Sequence, residues 1–258
     1  RPGPAGRGAC GADGAPLKRV ALAFRGEHHS KRMKRWLVCS EFSGVATRIH
    51  QQLVAPLLAA GTEVSIFFHS YRTNCPSRDA AVVQRLRPAS FKFSPAFRTS
   101  PCKRCGPARA DTVIAAMDLV VASGARFDAV VLARFDTLYK APITELNIDW
   151  GRVNLPFRDT WKTWNAGRKT SDLFFVVPNA SVEAFRRALR ASKANPSDFR
   201  ACQYVYTPLV KALGRDGVHF IDDHYIGTSE LNSLSRTPTF LSMSRTCSAW
   251  HDKCTPAG

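Results

Sequence analysis

Apolar residues along the first half of the chain follow two spacings that alternate. Runs rich in apolar residues, typical of strands buried on both faces, predict strands at residues 18–24, 63–68, 90–93 and 129–133. Apolar residues that recur every three or four positions predict helices at residues 45–60, 77–86 and 110–123. This alternation predicts a mostly parallel sheet, joined by right-handed crossovers and flanked by helices.

Glycine and proline residues mark the ends of the predicted helices. Gly61 and Gly124 each follow the last residue of a helix and supply its stop. Pro56 lies inside the first helix and predicts a kink in its last turn. Residues 94–107 are rich in Pro, Cys and basic residues and have no apolar periodicity, so they are predicted to form a loop.

The second half of the chain has shorter elements in a less regular order. The predicted strands are residues 152–157, 172–177 and 218–221, and the predicted helices are residues 181–191 and 204–213. A loop that contains Trp161 and Trp164 separates the first two of these strands. Neither an internal repeat nor a low-complexity linker divides the sequence. We therefore expect one α/β domain over residues 18–245, with a flexible leader at 1–17 and a tail at 246–258.

One predicted strand ends abruptly in charged residues. Residues 129–133 are apolar at every position, and Arg134 and Asp136 follow directly. A buried strand that delivers charge at its carboxyl end is how open α/β sheets build ligand sites. The alternative is a surface salt bridge between Arg134 and Asp136 that caps an ordinary strand.

Polar residues also follow the first two strands. Arg25 comes after Phe24, and Tyr71 and Arg72 follow the second strand. Because the carboxyl ends of parallel strands meet at one edge of a sheet, we expect these side chains and that of Arg134 to converge on one cleft.

The chain is strongly basic, since 37 Lys and Arg residues against 20 Asp and Glu residues give a formal net charge of +17. A charge of this size predicts anionic partners, such as nucleic acid, nucleotide diphosphates, acidic glycans or anionic membranes. The densest basic cluster, residues 31–35, has no interleaved aromatic ladder and favours a solvated loop. The sequence has no apolar run of about 18 residues and no signal-peptide core at its start. We therefore expect a membrane tether, where there is one, to lie outside these residues.

Eight cysteines form an even set in mostly loop-like sequence, namely Cys10, Cys39, Cys75, Cys102, Cys105, Cys202, Cys247 and Cys254. Such a set predicts up to four disulfides and an oxidising compartment. Zinc is the alternative because Cys102 and Cys105 form a close pair, but no second pair has suitable spacing. Asn179-Ala180-Ser181 is a glycosylation sequon, which agrees with the lumen of the secretory pathway.

Three short strings carry a resemblance to a known superfamily. They are Arg134-Phe135-Asp136 and the strings at 138–143 and 154–158. On these residues the chain resembles nucleotide-sugar-dependent glycosyltransferases of the GT-A fold, and a group of glycosyltransferase-like sequences from algae and large viruses. The resemblance covers roughly residues 18–245. It implies a Rossmann-like sheet with a nucleotide-binding half at 18–150 and a mixed acceptor half at 151–245.

The resemblance implies transfer of a sugar from a nucleoside-diphosphate-sugar donor to a hydroxyl of a glycan or protein. The cysteines and the sequon predict the lumen of the Golgi or endoplasmic reticulum as its location. The donor-binding residues that we expect are Phe24, Arg25, Tyr71, Arg72, Arg134 and Asp136. The expected partners are thus a nucleotide sugar and a glycan or glycoprotein acceptor, without nucleic acid.

A divalent metal, Mn²⁺ or Mg²⁺, is also implied. In the superfamily the fourth strand ends in an Asp-any-Asp motif that holds the metal against the donor diphosphate, and Arg134 here replaces the first Asp. Asp136 is then the motif's ligand, and a second ligand is expected from Asp222, Asp223 or His224. The alternative is a metal-free site in which Arg134 binds the diphosphate in place of the cation.

Transfer with inversion requires a carboxylate base near the acceptor hydroxyl. Asp172 is the first candidate because it begins an apolar strand after a polar loop, and Asp159 is the second; a structural capping role is the alternative for both. Trp161, Trp164 and Tyr225 are expected to stack on sugar faces of the acceptor, or else to complete the core.

Two other classes of function compete with transfer. The charge of +17 and the cluster at residues 31–35 suit a non-enzymatic module that binds acidic polysaccharide or nucleic acid. No nucleic-acid motif is present, and eight cysteines argue against a nuclear role. Arg134 in the Asp-any-Asp position also suits a glycosyltransferase-like fold that has lost its activity.

Overall fold

A computed structural model describes residues 16–26, 42–73, 76–95, 109–192, 201–226 and 240–243. The strands in these residues are β1 Arg19–Gly26, β2 Glu63–Tyr71, β3 Ser90–Ser94, β4 Ala129–Arg134, β5 Thr137–Tyr139, β6 Val153–Leu155, β7 Phe174–Pro178, β8 Val218–Phe220 and β9 Leu241–Met243. The α-helices are α1 Phe42–Ile49, α2 Ala55–Ala59, α3 Pro76–Leu86, α4 Arg109–Ala122, α5 Trp161–Gly167, α6 Val182–Ser192 and α7 Tyr206–Leu213.

Seven of these strands form one sheet in the order β3-β2-β1-β4-β7-β6-β8. β1 pairs in parallel with β2 and β4, β2 pairs in parallel with β3, and β6 pairs in parallel with β8. Only β7 runs against its neighbours β4 and β6. The prediction of a single α/β domain with a mostly parallel sheet, flanked by helices and mixed in its second half, is confirmed.

The reversed direction of β7 positions the segment that precedes it. Ala133, near the end of β4, pairs with Phe174, the first residue of β7. The chain therefore enters β7 at the edge where β1 and β4 end. Asp172 lies in that entering segment, two residues before the strand, whereas the sequence predicts that the strand begins at Asp172 itself.

The two faces of the sheet bury different side chains because residues alternate along a strand. Ala21 and Ala23 face the layer that contains α4, and their small side chains let that helix pack against β1. Leu22 and Phe24 face the opposite layer. Phe24 is fully buried there, with its ring centroid 5.6 Å from that of Phe135. The Phe24 side chain is therefore part of the core, and its contact with a donor stays a prediction.

The predicted helix at 45–60 is divided by a π-helical turn, His50–Val54, between α1 and α2. Pro56 has no N–H, and its ring would clash with the carbonyl of the residue four positions earlier in a regular helix. The wider turn precedes Pro56 and relieves that clash. The predicted irregularity is thus present, and it lies before the proline rather than in the last turn of the helix.

Two further elements differ from the sequence-based expectation. The predicted loop at Trp161 and Trp164 is wrong, because these residues belong to α5, whose first turn is capped by the Thr160 hydroxyl accepting from the Thr163 N–H at 3.5 Å. β5 and β9 form a separate two-stranded sheet that the sequence does not predict.

Several predicted features lie outside the described residues. They include the cluster at 31–35, most of the predicted loop at 94–107, the tail at 246–258, and all but the last two residues of the leader. The side chains of all eight cysteines also fall outside, so the disulfides stay a prediction. Among the described residues, no helix combines the length and apolar character needed to cross a membrane.

Candidate functional site

The strand register places four basic residues side by side at the carboxyl edge of the sheet. Arg25 on β1 lies opposite Arg134 on β4 and opposite His69 on β2, and His69 lies opposite Lys92 on β3. Laterally paired residues of parallel strands project to the same face of a sheet. For Arg25 that face is the α4 layer, because its Nη1 donates to Thr112 Oγ1 of α4 at 3.3 Å. We call Lys92, His69, Arg25 and Arg134 the basic row.

Arg25 is buried and its guanidinium is held by an acidic partner. Its side chain is 3% exposed, as is that of Asp172, and Arg25 Nη2 lies 3.1 Å from Asp172 Oδ2. The same Nη2 also donates to the backbone carbonyl of Asp172. A buried charge is tolerated only when it is paired and hydrogen-bonded, and both conditions hold here.

Arg134 links two carboxylates at the edge of the sheet. Its Nε donates to Asp136 Oδ1 at 2.6 Å and its Nη2 to Asp136 Oδ2, so this contact is bidentate. Its Nη1 lies 3.3 Å from Asp172 Oδ2. The salt bridge considered from the sequence therefore forms, but the side chains of Arg134 and Asp136 are only 11% and 13% exposed. It is a partly buried cluster rather than a cap on the surface.

Gln203 completes this cluster from the second half of the chain. Its Nε2 donates to Asp172 Oδ1 at 3.4 Å. The residues expected at the site from separate predicted segments, Arg25, Arg134, Asp136 and Asp172, thus lie together. The sequence gives no signal for Gln203, whose position depends on how the segment before α7 packs on the sheet.

His69 and Lys92 are residues that the motif-based reasoning missed. His69 is buried, and its Nε2 is 2.8 Å from Ser94 Oγ. Its Nδ1 has no hydrogen-bond partner among the described residues. Burial, with a smaller contribution from the charge of Lys92, lowers the pKa of His69 below its ordinary value of 6.5. His69 and Lys92 align with Arg25 across neighbouring strands. This alignment could have identified them from the sequence only if the pairing of β2 with β3 had been known.

Tyr71 and Arg72 lie at the exit of β2, as predicted. Tyr71 is buried, with its ring centroid 5.9 Å from that of His69. The Arg72 guanidinium carbon is 5.9 Å from the centroid of the Phe93 ring. Both residues are therefore at the same edge as the basic row, and their contact with a donor stays a prediction.

Asp159 lies in a different environment from Asp172. Its carboxylate forms a buried ion pair with Lys169, and its Oδ1 accepts from the Thr160 N–H at 2.7 Å. The backbone N–H of Asp159 also donates to the carbonyl of Lys169 at 2.9 Å. These contacts fix the turn that enters α5, which is the structural role considered for Asp159 from the sequence.

Trp161 and Tyr225 form an exposed aromatic pair, which we call the aromatic patch. Their side chains are 63% and 38% exposed, and their ring centroids are 5.1 Å apart in an edge-to-face arrangement of 82°. Trp164, one turn further along α5, is only 4% exposed and packs against Tyr206 and Phe220. Trp164 is thus a core residue, which is the alternative to acceptor contact considered for it.

Arg158 packs against Tyr225 of the aromatic patch and against Phe220 in the core. Its guanidinium carbon is 4.3 Å from the centroid of Phe220 and 5.7 Å from that of Tyr225. Isolated backbone bridges pair Arg158 with Tyr225 and with Thr170, two residues before Asp172. Backbone contacts of Arg158 therefore connect Tyr225 of the aromatic patch to the segment that contains Asp172.

Asp222, Asp223 and His224, which the sequence suggests as a second metal ligand, have other partners. Asp222 accepts from the ring Nδ1 and the backbone N–H of His224, whereas Asp223 pairs with Arg158. The hydrogen bond and charge of Asp222 raise the pKa of the exposed His224 above its ordinary value. The two aspartates thus engage different groups.

The donor set at Asp136 does not fit a divalent cation. Within the described ranges, no three His, Cys, Asp or Glu side chains are grouped so that they could hold a metal ion. Both oxygens of Asp136 accept from the Arg134 guanidinium. A cation on Asp136 would lie beside that guanidinium, and at about 4 Å each unit of like charge costs on the order of 4 kcal/mol at an effective dielectric constant of about 20.

The solved structures compared with this chain are distantly similar to it. No protein-family model matches the sequence, and no curated protein is similar to it. The glycosyltransferase GlyE of Streptococcus pneumoniae is 10% identical with a TM-score of 0.42, over 79% of this chain and 45% of GlyE. The apo form of GlyE is also 10% identical, with a TM-score of 0.40, over 80% of this chain and 45% of GlyE. A nucleoside-diphosphate-sugar pyrophosphorylase of Vibrio cholerae is 13% identical with a TM-score of 0.39, over 81% of this chain and 92% of the other. The chain spans under half the length of GlyE, and these similarities do not assign it to a family.

Proposed function

We propose that this chain is a glycosyltransferase that moves a sugar from a nucleoside-diphosphate-sugar donor to a hydroxyl of a glycan or protein. The observation that carries the proposal is the cluster of Arg25, Arg134, Asp136 and Asp172 at the carboxyl edge of the sheet, where open α/β sheets bind ligands. The resemblance of Arg134-Phe135-Asp136 to the motif of the GT-A superfamily supports the same assignment.

The two arginines suit the negative charge of a donor diphosphate. A guanidinium is always protonated and offers a planar fork of N–H donors that matches phosphate oxygens. Asp136 holds the Arg134 fork by two hydrogen bonds, which limits the rotamers available to a long side chain. In this role the protein itself provides the positive charge that stabilises the leaving diphosphate.

Two roles can be distinguished for Asp172. As a general base it would have to contact the acceptor hydroxyl, and its side chain is 3% exposed beside Arg25 and Arg134. Orienting those two arginines requires no rearrangement of the cluster. We propose the positioning role for Asp172, while a base role, and with it inverting transfer, stays a prediction from the sequence.

The aromatic patch is the proposed acceptor surface. Exposed aromatic faces suit the apolar faces of sugar rings, and Trp161 and Tyr225 present such faces close together. The backbone bridges from Arg158 to Thr170 and Tyr225 connect this surface to the segment of Asp172. An acceptor bound on the patch would thus approach the arginine cluster from the second half of the domain.

Action in the lumen of the secretory pathway is part of the proposal. It is supported by the even set of eight cysteines and by the sequon at Asn179. Asn179 is exposed, in a short 3₁₀ turn directly after β7, so an attached glycan would meet no steric obstacle from the core.

A thermal-shift panel tests the proposed function. The ligands are UDP, GDP, CMP and their sugars, each with and without Mn²⁺. A true donor at about 100 times its Kd stabilises the fold by about 2.7 kcal/mol through mass action. Stabilisation by one nucleotide class supports the proposal. No stabilisation by any nucleotide, together with binding of heparin or DNA at physiological salt, would instead support the non-enzymatic binding module.

A donor-hydrolysis assay separates an active enzyme from an inactive relative. Stabilisation by a nucleotide sugar without release of nucleoside diphosphate, in the presence and absence of Mn²⁺ and with a panel of acceptors, would indicate a fold that binds donors and has lost transfer.

A further inference from the structure

The basic row crosses four adjacent strands at a single level of the sheet. Neighbouring strands are about 4.8 Å apart, so the row from Lys92 to Arg134 extends over about 14 Å. This is enough for a diphosphate together with the groups attached at its two ends. The sequence separates these four residues widely, and only the pairing of the strands makes them neighbours.

The exposure of the row varies along its length. Arg25 and His69 in the middle are buried, Arg134 at one end is partly buried, and Lys92 at the other end is exposed. Lys92 is thus the most accessible member of the row. Lys92 can reach an anionic group without any change in the buried cluster.

The centre of the row contains a polar atom without a hydrogen-bond partner in the part of the chain that the structure describes. His69 Nδ1 is buried and has no hydrogen-bond partner among the described residues, although Nε2 is bonded to Ser94. The large majority of buried side-chain polar atoms in native proteins have a partner, so this unpaired nitrogen between the cations Arg25 and Lys92 suggests that a polar group binds there. Tyr71 stands at the same strand exit, beside the His69 ring.

We propose that the basic row binds the diphosphate of a nucleotide directly, without a divalent cation, and that His69 and Lys92 belong to this binding site. The inference rests on the proposed function and specifies the chemistry of its donor site. Arg134 takes the position of the first carboxylate of an Asp-any-Asp motif and carries the positive charge that a metal would otherwise supply. On binding, its guanidinium exchanges part of its contact with Asp136 or Asp172 for phosphate oxygens.

Isothermal titration calorimetry with UDP, GDP and CDP tests the inference, each nucleotide being titrated in excess EDTA and again in Mn²⁺. We expect one nucleotide to bind with a Kd that differs by less than about threefold between the two conditions. Binding that requires Mn²⁺ would overturn the inference and leave the proposed function standing. No binding of any nucleotide in either condition would overturn both, so the two failures are distinguishable.

Variants of Lys92 and of Arg134 test whether these two residues of the basic row bind the nucleotide. Lys92→Ala removes an exposed side chain and should weaken binding in EDTA by about tenfold. Lys211→Ala is the matched control, because Lys211 is also exposed and lies in the last turn of α7, near the start of β8 at the opposite edge of the sheet. Equal nucleotide affinities for Lys92→Ala and Lys211→Ala would contradict the assignment of Lys92 to the binding site.

Arg134→Asp restores two acidic positions to the motif and removes the proposed cation. We expect this variant to lose nucleotide binding in EDTA by at least tenfold and to recover part of it in Mn²⁺. Undiminished binding in EDTA would overturn the assigned role of Arg134. Far-ultraviolet circular dichroism of each variant ensures that the comparison is made between folded proteins.

Discussion

Arg25 and Asp172 are 147 positions apart in the sequence, yet Arg25 Nη2 lies 3.1 Å from Asp172 Oδ2 and both side chains are almost fully buried. The contact exists because β7 runs antiparallel to β4, which brings the segment before β7 to the edge where β1 ends. This ion pair joins the two halves of the domain at the candidate site.

Removing Asp172 should destabilise the protein strongly. Asp172→Ala leaves the Arg25 guanidinium buried without its carboxylate partner, and such a loss costs about 3–5 kcal/mol in the free energy of unfolding. Urea unfolding of the variant and the native chain measures the difference. Asp118→Ala is the control, because Asp118 is about half exposed in its pair with Arg186 and should cost about 1 kcal/mol or less. Equal effects of the two substitutions would contradict the buried pairing.

Asp136→Ala should reduce sugar transfer by about 100-fold, because Arg134 loses the carboxylate that orients it toward the leaving group. Initial rates of nucleoside diphosphate release, at saturating donor and acceptor, measure this effect. Glu63→Ala serves as the control, since Glu63 is exposed at the start of β2, at the opposite edge of the sheet. If Asp136→Ala is folded and retains the full rate, the site is wrongly assigned.

The two tryptophans of α5 should respond differently to the same substitution. Trp161→Ala removes an exposed face of the aromatic patch and should raise the KM for the acceptor by about fivefold, corresponding to a stacking contribution of about 1 kcal/mol, with donor affinity unchanged. Trp164→Ala empties a core position and should lower the free energy of unfolding by about 3–5 kcal/mol. Steady-state kinetics and urea unfolding of both variants check this division. A Trp161→Ala protein with native acceptor KM would exclude the patch as the acceptor surface.

His69 should make stability depend on pH. Its pKa is lowered in the folded state by burial and by Lys92, so between that value and about 6.5 the unfolded chain binds more protons than the native one. Stability is therefore fully present above about pH 6.5 and is lost as the pH falls through this window. His69→Asn should flatten the dependence, which urea unfolding at several values from about pH 5 to 7.5 would show. Identical pH slopes in the two proteins would contradict a buried neutral His69.

The alternation of apolar runs and helical periodicity was sufficient to predict the first four strands and the parallel half of the sheet. It also predicted that Arg25, Tyr71, Arg72 and Arg134 lie at one edge, because that follows from strand direction alone. The sequence did not separate Phe24 from Arg25, although adjacent residues of a strand project to opposite faces: the Phe24 side chain lies in the core and Arg25 faces the α4 layer.

The contacts that the sequence did not predict depend on long-range packing. No local pattern indicates that β7 inserts antiparallel between β4 and β6, and this arrangement brings Asp172 to Arg25. The helix that carries Trp161 was missed because its seven residues span only two turns and contain few apolar positions. Its capping residue, Thr160, was the local signal for it.

The arginine cluster is proposed to serve sugar transfer from a nucleoside-diphosphate sugar. Its most direct test is the release of nucleoside diphosphate from a panel of nucleotide sugars, measured for the native chain and for Arg134→Ala. We expect the native chain to release nucleoside diphosphate from at least one donor, and the variant to lose about 100-fold in rate. Absence of release from every donor, or an equal rate in Arg134→Ala, would contradict it.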